Sequence, residues 1–344
     1  MIRLREEMGG KMKELKLPKR VDLAELVPRE GPQHHEKFVS TDAKVWMIHA
    51  AIDCGFKRVE ATNFANPKYI PQFRDAHEVM RRIDKKKREG VEITAVTITD
   101  RAIREAIRAK QEGYGPDRIV QMISTSEAHN LRNAGLTHAE HWKKFEEWIK
   151  LAHDNGIKFN ACVSTIWGCP IAGPMPMNLG WEFAKRLLEM GADDIEHADH
   201  DGQATPDKVY RYFCEVLDRM PDPSKHVFHH HMTRGWGLAN ILAAMQAGII
   251  RFESCFGGLG GQPANFLDDC PVPGTGRYYY QDPTQTGLVP TEDLVVMLDE
   301  MGIEHGLDVD KVLETGRIIE RIFGQRLRSM CVRTGRIPKG PTGF

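Results

Sequence analysis

Three consecutive histidines follow a short apolar stretch in the segment HVFHHHM, residues 226–232. Neighbouring side chains of an extended strand point to opposite faces, so His229 and His231 share one face while His230 takes the other. An H-x-H pair of this kind can bind one divalent metal ion through two imidazole nitrogens. An isolated run of histidines is more often a surface loop or a set of buried, hydrogen-bonded residues, so its place in the fold decides between the two interpretations.

A carboxylate after another β-rich segment supplies a third candidate ligand. Residues 28–31 read Pro-Arg-Glu-Gly. Glu30 would complete a set with His229 and His231 and leave coordination positions for water or substrate oxygens. Arg29, beside it, is a candidate for a fixed cation that stabilises an enolate oxygen in a transition state. A surface or barrel-floor ion pair is the alternative role for this arginine.

Two further carboxylates belong to β-rich segments. Glu60 lies in the second of these segments and Asp199 in the sixth. A carboxylate near a metal can act as the base or acid that moves a substrate hydroxyl proton, which is one prediction for both residues. The other prediction is structural, with either carboxylate forming an ion pair with Arg29 or Lys68.

Eight short β-rich segments alternate with amphipathic helical patterns along the chain. Helices are predicted over residues 41–56, behind an N-cap at Ser40, and over residues 138–156, which end at Gly156. This alternation predicts a parallel sheet, and eight units favour closure into a (β/α)₈ TIM barrel of the α/β class. No GxGxxG follows the first segment, which weighs against a dinucleotide-binding fold. The β-rich segments are residues 21–28, 58–64, 91–98, 119–125, 158–166, 194–200, 226–232 and 249–255.

The expected organisation is one catalytic barrel with additions at its ends. The barrel is predicted over residues 21–325, since no linker or abrupt change of composition interrupts them. Residues 1–20 are a charged N-terminal extension and a candidate helix for the barrel floor. Residues 326–344 form a C-terminal tail in which we expect helical and irregular structure.

Composition restricts the classes of partner and the location. The 344 residues include 47 Lys and Arg against 48 Asp and Glu, so neither a nucleic acid nor a membrane surface is expected as a partner. Seven cysteines lack C-x-x-C spacing, which is typical of a protein of the reducing cytoplasm. The N-terminus lacks the apolar run of a signal peptide, and no later stretch reaches the ~20 apolar residues of a membrane span.

Seven segments, in order, resemble the DRE-TIM metallolyase superfamily, and the hydroxymethylglutaryl-CoA lyase branch most closely. The similarity covers nearly the whole barrel. The similar segments are LVPREGPQHHEKFVST (26–41), VEATNFANPKYIPQFRD (59–75), VSTIWGCP (163–170), ADHDGQATP (198–206), HHHMTRGWGLAN (229–240), GLGGQP (258–263) and TEDLVVML (291–298).

The resemblance implies retro-Claisen cleavage of a 3-hydroxyacyl-CoA thioester that releases acetyl-CoA or a related enolate product. It implies a divalent metal, Mg²⁺ or Mn²⁺ with Zn²⁺ as the alternative, held by Glu30, His229 and His231. Arg29 would stabilise the enolate, and a base would remove the substrate hydroxyl proton. The residues that match catalytic positions are Arg29, Glu60 and Asp199.

Several positions depart from the lyase pattern. Glu30 replaces the lyase aspartate, and Met232 replaces the aspartate of the His-x-His-Asp motif. Gln262 stands where the signature loop of the lyases carries a catalytic cysteine, and a glutamine cannot supply a proton as a thiol does. Cys270, eight residues on, is either a substitute donor or an incidental cysteine.

The segment after the glycine-rich loop is where we expect the substrate to be selected. Asn265 falls at the ligand asparagine of synthase-type relatives and is our fourth candidate metal ligand. Residues 266–290 replace the short lyase segment and bring Arg277 with Tyr278-Tyr279-Tyr280 to the barrel mouth, either as a lid or as an oligomer contact. The residues expected to bind substrate are Gln33, Thr165, Gln262 and Arg277.

Three alternatives to the lyase remain at this stage. The first is an acyl-CoA condensing synthase resembling homocitrate synthase, which Glu30 and Asn265 favour. The second is a pyruvate-type aldolase on the same scaffold. The third is a metal-binding barrel without catalysis, favoured by the missing cysteine at position 262. Relatives are commonly dimers, so we expect a homodimer whose ligand is an acyl-CoA thioester.

Overall fold

Eight parallel strands form a closed barrel in chain order, β1 to β8, in the computed structural model. The predicted (β/α)₈ fold is therefore confirmed. The structure describes residues 15–33, 35–68, 70–261, 265–267, 270–272 and 285–342. The strands are β1 (Asp22–Glu25), β2 (Arg58–Asn63), β3 (Glu92–Val96), β4 (Arg118–Ser124), β5 (Lys158–Ser164), β6 (Asp194–Asp199), β7 (His226–His230) and β8 (Arg251–Ser254).

Helices cover the outside of the barrel, and two of the predicted helix boundaries are confirmed in detail. The Ser40 hydroxyl accepts the backbone N–H of Ala43 at 3.2 Å, and Thr137 forms a capping box with Glu140. The helices are α1 (Val27–Gln33), α2 (Thr41–Cys54), α3 (Ala76–Arg81), α4 (Lys85–Arg88), α5 (Asp100–Gln111), α6 (Glu127–Ala134), α7 (His138–Asp154), α8 (Asn178–Glu189), α9 (Pro206–Arg219), α10 (Gly237–Ala247), α11 (Thr291–Glu300), α12 (Val309–Phe323) and α13 (Cys331–Thr334).

The start of the barrel differs from the sequence-based expectation. A strand was expected over residues 21–28, but β1 ends at Glu25 and α1 begins at Val27. Oε1 of the buried Glu25 carboxyl group accepts the backbone N–H of Val27 at 2.8 Å and that of Phe256 at 3.0 Å, which turns the chain out of the sheet. Residues 29 and 30 consequently lie on a helical turn above the barrel.

Charged residues close the amino-terminal end of the barrel. Arg118 on β4 and Arg251 on β8 both contact Asp194, at 2.6 and 2.7 Å, and Arg118 also contacts Glu92 at 2.7 Å. These groups are paired with one another at the ends of strands where this fold does not place its chemistry. The groups available for catalysis therefore lie at the opposite, carboxyl-terminal end.

A short pair of strands after β8 lies at the far side of the barrel mouth. Two short strands, β9 (Asn265–Leu267) and β10 (Cys270–Val272), pair antiparallel. Their backbone lies against that of α6, the helix after β4. Because β4 is four strands from β8 in the closed order, this hairpin reaches the opposite side of the mouth.

The ends of the chain pack on the barrel where the structure describes them. Arg20 forms a parallel bridge with Glu304. Asp293 on α11 accepts the Ser329 hydroxyl at 2.9 Å and the Cys331 N–H at 2.7 Å, and so anchors the tail that contains α13. The expected helix over residues 1–20 lies largely outside the described residues. Within the described ranges, no helix has both the length and the apolar character needed to cross a membrane.

Candidate metal centre

His229 and His231 lie on the same side of β7, with their Nε2 atoms 3.1 Å apart and both side chains almost fully buried. His230 points the other way. Its ring stacks on Phe228, and its Nε2 lies 3.0 Å from Asn240 Nδ2. The alternation of the strand therefore separates the three imidazoles into a pair and a single residue.

The hydrogen bonds of the two Nδ1 atoms determine which ring nitrogens of His229 and His231 carry a proton. His231 Nδ1 lies 2.6 Å from the Thr286 carbonyl oxygen, which can only accept, so Nδ1 carries the proton and Nε2 a lone pair. His229 Nδ1 donates in the same way to the Glu253 carboxylate at 2.7 Å. Burial lowers the pKa of His229 to about 3 and that of His231 well below its ordinary value, so both rings are neutral.

Two lone pairs directed at each other at this distance repel unless a cation lies near both. Two nitrogens bound to one metal at about 2.1 Å are separated by about 3.0 to 3.4 Å, which the observed 3.1 Å matches. A carboxylate or carbonyl on the distal nitrogen is the usual support of a metal-bound imidazole. His229 and His231 thus fit a divalent metal.

His200 is a third imidazole beside this pair. It follows β6 directly, and its ring centroid lies 5.6 Å from that of His229 and 5.5 Å from that of His231. One ligand atom from each of these three residues lies within 4.8 Å of the others, and all three residues are buried. No ligand role was predicted for His200 from the sequence.

Glu30, the expected carboxylate ligand, contacts Arg29 on α1 instead of the histidines. It does not belong to the group within 4.8 Å of His229 and His231. Its other oxygen, Oε2, is buried and has no hydrogen-bond partner among the described residues. Burial raises the pKa of Glu30 to about 7, although Arg29 opposes the shift.

The loop after β8 packs tightly over this carboxylate. Gly260 has a φ of +102°, and a Cβ at this position would lie 2.9 Å from Glu30 Oε2. Only glycine adopts this backbone conformation without strain and also permits the close approach. The glycine-rich segment therefore determines how much room remains around the unpartnered oxygen.

Arg29 lies between two carboxylates. Its Nη1 contacts Glu30 and its Nε contacts Glu60, while Nη1 also lies 3.4 Å from Gln33 Oε1. Burial alone would lower the pKa of Arg29, but the two carboxylates raise it above its ordinary value. Burial raises the pKa of Glu60 to about 7 despite this pairing. The ion pair considered for Glu60 is present, at the carboxyl end of the barrel.

Two acidic residues that sequence reasoning missed lie behind His229. Glu253 on β8 and Glu196 on β6 approach its Nδ1 at 2.7 and 3.4 Å. Burial raises the pKa of Glu253 to about 7 and that of Glu196 well above its ordinary value. These three residues form a second group with metal-ligand spacing. In the sequence, the only signal for these two residues was a glutamate at an inward-facing position of β6 and of β8.

Asp199, for which a catalytic role and a structural ion pair were both predicted, is the last residue of β6. Its oxygens accept the backbone N–H groups of Gln203 at 3.0 Å and of Ala204 at 2.9 Å. Asp199 Oδ2 lies 3.4 Å from His230 Nδ1, on the side of β7 away from His229. In this arrangement the carboxylate holds the turn before α9.

Thr165 follows β5 with a φ of +58°, a conformation that β-branched residues avoid. Its hydroxyl lies 3.0 Å from that of Thr125 and donates to the Ser164 carbonyl at 2.7 Å. Strained backbone of this kind is concentrated at ligand-binding and catalytic sites. The residue lies at the carboxyl end of the barrel, where substrate contacts are expected.

The remaining sequence-based candidates fall on segments that the structure describes in part or not at all. Gln262 and Arg277 lie outside the described residues, as do Tyr278-Tyr279-Tyr280. Asn265 and Cys270 belong to β9 and β10, of which only the backbone is described.

Comparison with known proteins places this geometry in context. A family model described as HMGL-like matches residues 20–319. The chain is 31% identical over 312 residues to hydroxymethylglutaryl-CoA lyase YngG of Bacillus subtilis, covering 91% of this chain and 96% of that protein. It is 32% identical over 312 residues to the mitochondrial hydroxymethylglutaryl-CoA lyase of Bos taurus, covering 91% and 88%.

Solved structures agree with the sequence comparisons. An HMG-CoA lyase from Acinetobacter baumannii, in complex with coenzyme A and 3-methylmalate, superposes with a TM-score of 0.82 at 29% identity. The match covers 96% of this chain and 99% of that one.

Proposed function

The chain belongs to the HMGL-like family and is an enzyme of the carbon–carbon lyase class, and we propose that it cleaves a 3-hydroxyacyl-CoA thioester at the mouth of its barrel. The observation that carries the proposal is the pair of buried, neutral imidazoles with facing lone pairs, His229 and His231. Arg29 and Glu60, both buried at the same end of the barrel, supply a fixed cation and an ionisable carboxyl group.

The proposed ligands of the divalent metal are His229 and His231, with Glu30 and Asn265 completing the set. The unpartnered Oε2 of Glu30 supports its inclusion, because a buried carboxylate oxygen without a partner is costly. When bound, Mg²⁺ or Mn²⁺ would polarise the 3-hydroxyl group and a neighbouring carbonyl or carboxylate oxygen of the substrate.

Proton transfer and charge stabilisation are the tasks of the protein's own side chains. Glu60 takes the 3-hydroxyl proton as the carbon–carbon bond breaks, since a carboxyl group with a pKa near 7 can accept and release a proton at neutral pH. The bonding electrons pass to the thioester half as an enolate, which the Arg29 guanidinium stabilises. The carbon that carried the hydroxyl group becomes a ketone carbonyl, and the enolate takes up a proton at carbon, returned from Glu60 directly or through water, to give acetyl-CoA. Asp199 positions the β6–α9 turn beside the site.

Substrate selection is assigned to the residues around this centre. Thr165 follows β5 at the carboxyl end of the barrel, and Gln33 contacts Arg29. The pair of strands β9 and β10 packs on α6 at the same end, and Gln262 and Arg277, which precede and follow these strands in the sequence, are assigned to the acyl group. The coenzyme A bound by the Acinetobacter baumannii relative supports a thioester substrate. We further propose a cytoplasmic homodimer.

The test is release of acetyl-CoA from a panel of 3-hydroxy-3-carboxymethyl acyl-CoA thioesters. We expect turnover with at least one thioester and a loss of about 10²–10⁴-fold in kcat for Glu60→Gln, the range that general-base catalysis contributes. Glu146→Gln, an exposed position on α7, is the control and should keep its rate. Consumption of acetyl-CoA only with a 2-oxo acid would establish a condensing synthase and overturn the proposed reaction.

A further inference from the structure

We propose that His200 is a third imidazole ligand of the same metal, which makes the centre nitrogen-rich and selective for transition-metal ions over Mg²⁺. The inference rests on the proposed metal site but does not depend on which thioester is cleaved. His200 has no role in the sequence motifs or in the ligand set proposed above.

The position of His200 carries the inference. Its ring is at nearly equal distances from the rings of His229 and His231, and one ligand atom of each residue lies within 4.8 Å of the others. Two nitrogens bound to one metal at about 2.1 Å are separated by at most about 4.2 Å. A small rotation of the His200 ring therefore brings all three nitrogens into one coordination sphere.

The hydrogen bonding of His200 supports the same assignment. The residue is only 4% exposed, and its Nδ1 has no hydrogen-bond partner among the described residues. The buried His197, in contrast, has both ring nitrogens paired, with the Tyr212 hydroxyl at 2.8 Å and with His226 Nδ1 at 3.0 Å. His129 and His141 each have an unpartnered Nε2, so the position of His200 beside the histidine pair, rather than the free nitrogen alone, distinguishes it. A buried ring nitrogen without a partner is unfavourable, and a metal ion satisfies it.

Three neutral nitrogen donors alter the choice of metal. Imidazole suits Zn²⁺, Co²⁺, Ni²⁺ and Fe²⁺, whereas Mg²⁺ prefers carboxylate, carbonyl and water oxygens. A set of two histidines with oxygen ligands accepts Mg²⁺ readily. With His200 included, we expect Co²⁺ or Zn²⁺ to displace Mg²⁺, and Mn²⁺ to bind with affinity between them.

The competing location for a cation is the group Glu196, His229 and Glu253. That location would use His229 Nδ1, which already donates to Glu253, and would leave the facing Nε2 atoms without a cation. It contains one imidazole against three for the His200 group. Counting the coordinated nitrogens distinguishes the two locations.

The decisive experiment is pulsed electron paramagnetic resonance of Mn²⁺-loaded protein, which counts the ¹⁴N nuclei bound to the metal. We expect three imidazole nitrogens in the natural protein and two in His200→Gln. His230→Gln is the matched control, because His230 is equally buried and points away from the pair; it should keep three. Two nitrogens in the natural protein, or an unchanged count in His200→Gln, would overturn the assignment, and one nitrogen would identify the glutamate group instead.

Metal selectivity provides a second measurement. Calorimetric titration of the metal-free protein should show that His200→Asp lowers the ratio of Co²⁺ to Mg²⁺ affinity by about 10-fold or more, as expected for replacing imidazole by carboxylate. Circular dichroism of each metal-free variant checks that it is folded. A folded variant with an unchanged ratio would contradict the proposal.

The two proposals fail separately. Three coordinated nitrogens without cleavage of any thioester would remove the lyase reaction and leave the ligand assignment intact. Thioester cleavage by a protein whose metal coordinates only two nitrogens would leave the lyase reaction intact and remove the assignment of His200.

Discussion

Replacing the buried Glu25 by glutamine should stabilise the protein, and increasingly so as the pH rises. Glu25 is fully buried at the end of β1, and burial raises its pKa to about 8. Its Oε1 accepts two backbone N–H groups, from Val27 and Phe256, and its Oε2 accepts the Thr291 hydroxyl at 2.6 Å. These hydrogen bonds hold the carboxyl group but do not compensate for the loss of water around a charge.

The sign of the effect follows from proton binding. In the unfolded chain Glu25 ionises near its ordinary pKa of 4.5, whereas the folded protein retains the proton until about pH 8. Between these values the folded state binds more protons, so the free energy of unfolding falls as the pH rises. Each pH unit in this window corresponds to about 1.4 kcal/mol, so the loss between pH 5.5 and 7.5 is roughly 3 kcal/mol.

Glutamine at position 25 can form the hydrogen bonds of the Glu25 side chain but cannot ionise. Its carbonyl oxygen can accept the two N–H groups, and its amide can donate to Thr291 Oγ1, whose own proton then turns to the Ser254 hydroxyl 2.8 Å away. We therefore expect the advantage of Glu25→Gln in free energy of unfolding to grow by roughly 3 kcal/mol from pH 5.5 to 7.5.

Denaturant unfolding of the metal-free natural protein and the variant at the two pH values measures this difference. Glu146→Gln, at an exposed position of α7, is the control for the loss of a carboxyl group and should show no such growth. A pH-independent difference, or a variant less stable at pH 7.5 than the natural protein, would refute the reasoning that Glu25 is folded in its protonated form.

Other predictions concern the metal centre. In denaturant unfolding, Gly260→Ala should lower the free energy of unfolding by about 1–3 kcal/mol more than Gly302→Ala. Both positions have an unfavourable φ, but only the Cβ at position 260 would meet another atom, Glu30 Oε2, at 2.9 Å. Equal losses would show that this contact is relieved without cost. Arg29→Lys should lower kcat about 10²–10³-fold in the acetyl-CoA release assay, because a lysine cannot contact two carboxylates in the fixed geometry of a guanidinium; an unchanged kcat removes Arg29 from the reaction. Metal at about 100 times its Kd should raise the free energy of unfolding by about 2.7 kcal/mol, measured by thermal unfolding before and after chelation, and His231→Ala should lack the response. A His231→Ala protein that is still stabilised by metal would contradict the site.

Several features of the structure depend on local sequence and were predicted from it. The N-cap at Ser40 and the end of α7 near Gly156 depend on residues within one turn, and the division of His229 and His231 from His230 depends on the two-residue repeat of a strand. Eight such strand-and-helix units led to the barrel, because parallel strands joined by helices admit few arrangements.

Tertiary structure decided which side chains meet at the mouth of the barrel. The turn at Glu25 places Arg29 and Glu30 on a helix, and a register shift between Glu60 and Thr62 alters the end of β2. Neither follows from a local pattern, because the first depends on partners more than 200 residues away in the chain and the second on the neighbouring strand.

The metal centre likewise combines features that local sequence determines with features that only the tertiary structure determines. From sequence alone, His229 and His231 were identified as a pair, since strand geometry relates residues two apart. The approach of His200 from β6, of Glu253 from β8 and of the Thr286 carbonyl depends on the closure of the barrel. Distances between side chains on different strands depend on register and burial, which the pattern of residue types does not contain, so only the folded structure could identify His200 as a neighbour of the pair.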